Sequence, residues 1–233
     1  MFCAALPQEI KHFCRILDIK MPDKHNLVSY KRITQEKEIG VAVSGVGQSR
    51  MRNLLESLSG DDVTYWISIG FAGGLDPALH PGDCIIGNKV INSSGGVYSC
   101  QDECVPATTD SSHILYCADK VVATQQEKSR LFETTGASAV DMESAAVAWY
   151  AQKRGERFAW IRVISDAAGD MVPEAVFDCI SKDGFPSSLA AIKTILFNPL
   201  TLKPFIKLGL RSAMCSRNLS KEIHASGLLG IDA

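Results

Sequence analysis

The chain has 233 residues, of which 46% are hydrophobic and 21% charged, an ordinary globular composition. A formal net charge of -2 gives no global reason to expect a nucleic-acid partner. No apolar run reaches the roughly 20 residues of a membrane-spanning helix, and the start, MFCAALPQEIKHF, lacks the basic region and cleavage pattern of a signal peptide. Eight cysteines in that setting are expected to be reduced thiols of a cytoplasmic protein.

In chain order, short apolar runs recur, each ending in glycine or a small polar residue. Ile39 to Ser44 reads as a strand running into Gly45-Val46-Gly47. A helix is predicted from about Ser49 to Leu58, with Met51, Leu54, Leu55 and Leu58 on one face. Tyr65 to Ile69 is a second strand, followed by the glycine-rich run Gly70-Phe71-Ala72-Gly73-Gly74. Pro81-Gly82-Asp83 is a turn that feeds a strand at Cys84-Ile85-Ile86. Asp141 and Glu143 open a helix that continues through AAVAWYAQKR. Lys153 and Arg154 sit in its last turn, and Gly155 stops it. This helix is apolar on most faces and should be largely buried. Phe158 to Ser165 then forms a buried strand, closed by Asp166.

Strands alternating with helices predict one α/β domain over residues 1–190, with a mainly parallel central mixed sheet flanked by helices. Ligands of such sheets bind at the carboxyl ends of the strands, where the glycine-rich runs and Asp166 fall. Residues 191–233 differ. From Asp183 to Glu222 no carboxylate intervenes, while Lys193, Lys203, Lys207, Arg211, Arg217 and Lys221 do. Leu202, Phe205, Ile206, Gly209, Leu210, Ala213 and Met214 recur at helical spacing, with Lys203, Lys207 and Arg211 on another face. The tail is expected to be a basic amphipathic helix, packed on its own domain or lying on an anionic membrane surface.

The run from Gly45 to Arg50 opens like a dinucleotide fingerprint. Arg50 replaces the third glycine and Glu56 comes too early to hold a ribose, so no nicotinamide cofactor is expected. A backbone loop near a small ligand remains in keeping with it. Cys100, Cys104, His113 and Cys117 have loose zinc-like spacing, but lack the tight pairs of a zinc site, and no metal is expected. Three carboxylates remain. Glu9 has an ordinary role as a surface charge, Glu143 as a helix-dipole partner and Asp166 as a helix cap. The case for a site rests on all three belonging to one pattern.

That pattern resembles the nucleoside phosphorylase/nucleosidase superfamily, of the purine nucleoside phosphorylase and methylthioadenosine/S-adenosylhomocysteine nucleosidase type. The motifs that carry it are Ser44-Gly45-Val46-Gly47; Ser68 to Leu75 with Pro81-Gly82-Asp83; Val140 to Ser144; and Ile164-Ser165-Asp166. The resemblance implies that Asp166 protonates or hydrogen-bonds N7 of a purine leaving group, with Ser165 beside it. It implies that Glu143 holds the ribose hydroxyls, that Met142 packs on the sugar and that Glu9 activates water. Phe71, Ala72 and Gly73 would line the base and ribose. It implies no cofactor, a nucleoside as the small-molecule partner and a homodimer.

The alternatives are a phosphorylase and a non-catalytic nucleoside-binding protein. Ser68 and Phe71 stand where bacterial hexameric phosphorylases carry an arginine and a serine for phosphate, which favours hydrolysis unless Arg50 compensates. Phe71 also replaces the usual nucleosidase serine, and Gln125 to Lys128 departs from the familiar base-recognition segment. The tail resembles the C-terminal extension of hopanoid-biosynthesis nucleosidases, which implies adenosylhopane as substrate and a helix at the membrane surface.

Overall fold

A computed structural model describes residues 1–35, 37–99, 112–172, 180–187 and 202–226, with side chains from 209 onward in the last of these stretches. A mixed sheet of ten strands forms the centre. Its continuous path begins with β2 (Val28–Arg32), β3 (Glu38–Val43), β1 (Phe2–Ala4) and β4 (Tyr65–Gly74). It continues through β9 (Ala139–Asp141), β8 (Ile114–Cys117), β6 (Lys89–Asn92) and β7 (Val97–Ser99). Strand β10 (Arg157–Asp166) pairs parallel with β4 and antiparallel with β5 (Cys84–Gly87). The parallel β3-β1-β4-β10 group brings the carboxyl ends of four strands together.

Alternation along the two long strands builds a core on each face. Trp66 and Ala72 of β4, with Phe158, Trp160 and Ile164 of β10, face α2 (Gln48–Ser57) and α4 (Ser144–Arg154). Ile67 and Ile69, with Ala159, Ile161 and Val163, face α1 (Pro7–Ile16) and the helix Leu202–Ala225. Period-two side chains on a doubly covered sheet give these near-continuous apolar runs. Helix α3 (Gln125–Thr135) begins at Thr124, whose hydroxyl accepts from the Glu127 N–H while the Glu127 carboxylate reaches back to Thr124. We call the helix Leu202–Ala225 α5.

The predicted strands, the helix Ser49–Leu58 and the Gly155 stop are present within a residue or two. Met51, Leu54, Leu55 and Leu58 are buried together. Gly155 takes the left-handed conformation of a helix C-cap. Two expectations differ. The glycine-rich run after Ile69 is strand, because Gly70 to Gly73 pair with β10 and Gly73 and Gly74 with β9. In α5 the packed face is Cys215, Leu219 and Ile223, one residue in four, set against the α1 side. Leu210 is 69% exposed and Met214 37%, so the apolar stripe expected from Leu210 and Met214 does not form the contact. Lys203, Phe205 and Lys207 lie outside the described side chains, as Cys100 and Cys104 lie outside the described residues. Among the described residues no helix is long and apolar enough to cross a membrane.

Candidate active site

Three carboxylates converge on the carboxyl ends of β1, β3, β4 and β10, each brought there by a different local device. Glu9 lies in the first turn of α1, after the turn that follows β1. Its Oε2 accepts from the Leu6 N–H at 2.7 Å and its Oε1 from the Phe71 N–H at 2.9 Å. It is buried, not a solvated surface charge. Burial pushes its carboxyl above the ordinary range, against the opposing pull of the two N–H groups and Arg162. Gly70 makes the approach available: a Cβ there would lie 2.6 Å from Glu9 Oε1.

Glu143 is the N-cap residue of α4, yet its side chain does not cap that helix. Asp141 does so instead, accepting from the Ser144 N–H at 2.9 Å and the Ser144 hydroxyl at 2.6 Å. Glu143 crosses to the other glycine loop, where Oε1 accepts from the Gly47 N–H at 2.6 Å. Gly47 begins α2 with φ +111°, so a backbone conformation that favours glycine presents this N–H. Burial, then the negative charges of Asp141 and Glu9, push the Glu143 carboxyl up to about 8; the Gly47 N–H and Arg162 pull the other way.

Arg162 joins these groups and was not singled out in the sequence. It is buried mid-strand in β10 and donates to Asp141 Oδ2 at 2.5 Å, to Ser68 Oγ at 2.8 Å and to the Ser68 carbonyl at 2.8 Å. Its Nε is a buried donor with no partner among the described residues, a group that ordinarily takes a water or a ligand. A cation inside an otherwise apolar strand, WIRVIS, was the available signal: buried arginines are rare unless paired.

Asp166 is aimed by an irregularity. Register between β10 and β4 shifts at Ile164/Asp166, which sets Ser165 apart and places Asp166 opposite Gly73. Such bulges redirect side chains at the ends of strands. The Ser165 hydroxyl bonds to Asp166 Oδ1 at 2.5 Å and to the Ala72 carbonyl at 3.2 Å. Asp166 Oδ2 forms an ion pair with Lys128, a fully buried residue of α3. Asp166 thus has a structural partner, but it is this lysine and not a helix N-terminus. Lys128 was noted only as part of an unfamiliar segment. Nothing local marks a lysine whose partner is 38 residues away.

Glu9 is anchored at Gly70 and Phe71, and Asp166 at Gly73. About 3.3 Å per residue puts these anchor points roughly 7–10 Å apart along β4. Ala72 is buried between them and Met142 is half-buried beside Glu143. The Phe71 side chain packs against the α1–α5 core, so it contributes its backbone N–H to the site more than an open apolar wall. Arg50 donates to the carbonyls of Val46 and Lys182 and braces the first glycine loop. Of the loosely zinc-like residues, His113 Nδ1 meets the Ser138 hydroxyl at 2.9 Å and Cys117 is buried, its thiol pushed up by burial.

The fold is shared with solved nucleosidases. An S-adenosylhomocysteine nucleosidase from Streptococcus pyogenes, solved with 5-methylthiotubericidin, superposes with a TM-score of 0.70 at 17% identity, covering 100% of this chain and 96% of its own. Futalosine hydrolase of Helicobacter pylori gives 0.66 at 18% identity, over 96% of both chains. In sequence, a 5′-methylthioadenosine/S-adenosylhomocysteine nucleosidase from Marinomonas sp. is 29% identical over 181 residues, 66% of this chain and 78% of its own length. The model of the phosphorylase superfamily matches residues 1–113 and 111–178. The chain belongs to the phosphorylase superfamily.

Proposed function

We propose that this protein is a purine nucleosidase that hydrolyses the N-glycosidic bond of a 5′-substituted adenosine and releases adenine. The observation that carries the reading is that Glu9 and Asp166, from different elements, meet neighbouring positions of β4, at Gly70–Phe71 and at Gly73, with Glu143 held at Gly47 of the first glycine loop. Breaking this bond develops positive charge on the ribose and negative charge on the base. Carboxylates set on either side of the bond, at a separation that leaves room for water, serve such a transition state. Glu9 takes a proton from the attacking water, which joins C1′ as the bond to the base breaks. Asp166 and Ser165 hold the proton that goes to N7. Glu143 binds the ribose hydroxyls, with Met142 against the sugar and the backbone of Phe71, Ala72 and Gly73 lining the base. Arg162 supplies its remaining donor, Nε, to the water side.

Water is favoured over phosphate on electrostatic grounds. A phosphate dianion beside Glu9, Asp141 and Glu143 would meet buried acids, which bring it no positive charge. The guanidinium among them, Arg162, is already paired. Arg50, the candidate to compensate, is engaged by two carbonyls. The finer parts of the reading follow the same resemblance: adenosylhopane as first candidate substrate, a homodimer, and a cytoplasmic protein whose C-terminal helix touches the membrane surface.

Incubation with 5′-methylthioadenosine and other 5′-substituted adenosines, with and without phosphate, tests the core of this. Adenine and free sugar should form at the same rate in both conditions. If soluble nucleosides release nothing, adenosylhopane in vesicles is the next substrate. Failure there too would leave a nucleoside-binding protein, with adenine binding but no turnover.

A further inference from the structure

Lys128 forms a buried contact that the proposed roles do not yet use. It is a residue of α3 with no exposed surface. Besides Asp166 Oδ2, its ammonium donates to the carbonyls of Ala167 at 2.8 Å and Asp170 at 3.1 Å. Three donors meet three acceptors, so the cation is fully satisfied in place. Asp170 is held in turn, its Oδ2 accepting from Arg211 of α5 at 2.9 Å and from the Ala167 N–H at 3.2 Å. The turn after β10 is therefore organised around one buried ammonium, and that ammonium is placed on the carboxylate assigned to the leaving group.

We propose that Lys128 is a positioning residue for the departing base, acting through Asp166; this rests on the nucleosidase reading above. Lys128 fixes Oδ2, Ser165 fixes Oδ1, and the carboxylate is left one orientation beside Gly73. The ammonium also stands against the oxygen that becomes anionic when the proton leaves. A proton shared between Asp166 and purine N7 is thereby drawn towards N7 as the glycosidic electron pair moves onto the base. The proton ends on the purine, Asp166 ends as the carboxylate paired with Lys128, and the proton from water ends on Glu9. Exchange with solvent resets both groups, so the sum is nucleoside plus water giving sugar plus neutral adenine. Because the gain is in the transition state, it belongs to kcat more than to KM.

A double-mutant cycle of Lys128→Met and Asp166→Asn separates this role from a purely structural one. Adenine release would be followed from pH 5 to 9, with thermal unfolding as a check on the fold. Lys128→Met should lower kcat about 100-fold with KM changed less than about threefold. In the Asp166→Asn background, Lys128→Met should lower kcat no further, because its effect passes through the missing carboxylate. Equal kcat in Lys128→Met and wild type, or costs that multiply in the double variant, would overturn the role. If Lys128→Met does not fold, Lys128→Arg enters the same cycle. It keeps the cation and should retain activity within about tenfold of wild type; a loss as deep as that of Asp166→Asn would overturn the role. A wild type that releases no base from any purine nucleoside would overturn the nucleosidase reading and this inference together. A working wild type matched by Lys128→Met would overturn the inference alone.

Discussion

Replacing Glu143 by Gln should change how stability depends on pH, and the size of the change follows from the site. Glu143 is buried, faces Asp141 and Glu9, and has its carboxyl pushed up to about 8 from an ordinary 4.5. Between those values the folded protein holds a proton that the unfolded chain has lost. Stability from this group is therefore full below about pH 4.5 and is lost as pH rises through about 8. The slope across the window is about 1.4 kcal/mol per pH unit, a total of a few kcal/mol. Glutamine keeps an oxygen for the Gly47 N–H and cannot ionise, so the variant should lack this slope. Urea unfolding of both proteins at pH 5, 7 and 9 reads the difference. Near pH 5 the midpoints should lie close together, and at pH 9 the variant should be higher by about 1.5–2 M, for an m-value of about 2–3 kcal/mol/M. Glu9, also shifted upward by burial, is present in both, so the part of its pH dependence that burial causes is common to the two. Parallel pH dependence in the two proteins would refute the reasoning.

Other substitutions test the remaining contacts. Glu9→Gln should lower kcat by about 100-fold or more while the protein stays folded, measured as adenine release at saturating nucleoside. Gly70→Ala should reduce kcat at least tenfold, because its Cβ would lie 2.6 Å from Glu9 Oε1 and displace that carboxylate; an unchanged kcat would count against Glu9 as the base. Asp141→Asn should destabilise by about 3–5 kcal/mol in chemical unfolding, since it removes the carboxylate paired with buried Arg162.

Much of the scaffold was legible because it is local. The β-branched run before Asp166, the apolar face of α2 and the glycine stop at Gly155 carry their own signals. The motif carboxylates came from a resemblance spread along the chain, and folding brings Glu9 and Glu143 to the same glycine-rich strand ends as Asp166. What escaped is non-local. Gly70 to Gly74 read as a loop by composition, yet they pair with two strands, one of them β10, more than 80 residues later in the chain. Glu143 looked like a dipole partner for its own helix, whereas Asp141 takes that place and frees Glu143 for Gly47. Arg162 and Lys128 were missed because a buried cation is explained only by partners from other elements. In α5, exposed Leu210 and Met214 share the apolar composition of buried Cys215 and Leu219, and spacing alone did not choose between the two stripes.

The central claim is that water, taken up beside Glu9, attacks the ribose carbon. The most direct measurement is turnover of a 5′-substituted adenosine in ¹⁸O-labelled water containing phosphate, with mass spectrometry of the sugar product. The account predicts a free sugar carrying one ¹⁸O, bonded to C1 when the product is trapped before its anomeric oxygen exchanges. An unlabelled ribose 1-phosphate, formed only when phosphate is present, would contradict it.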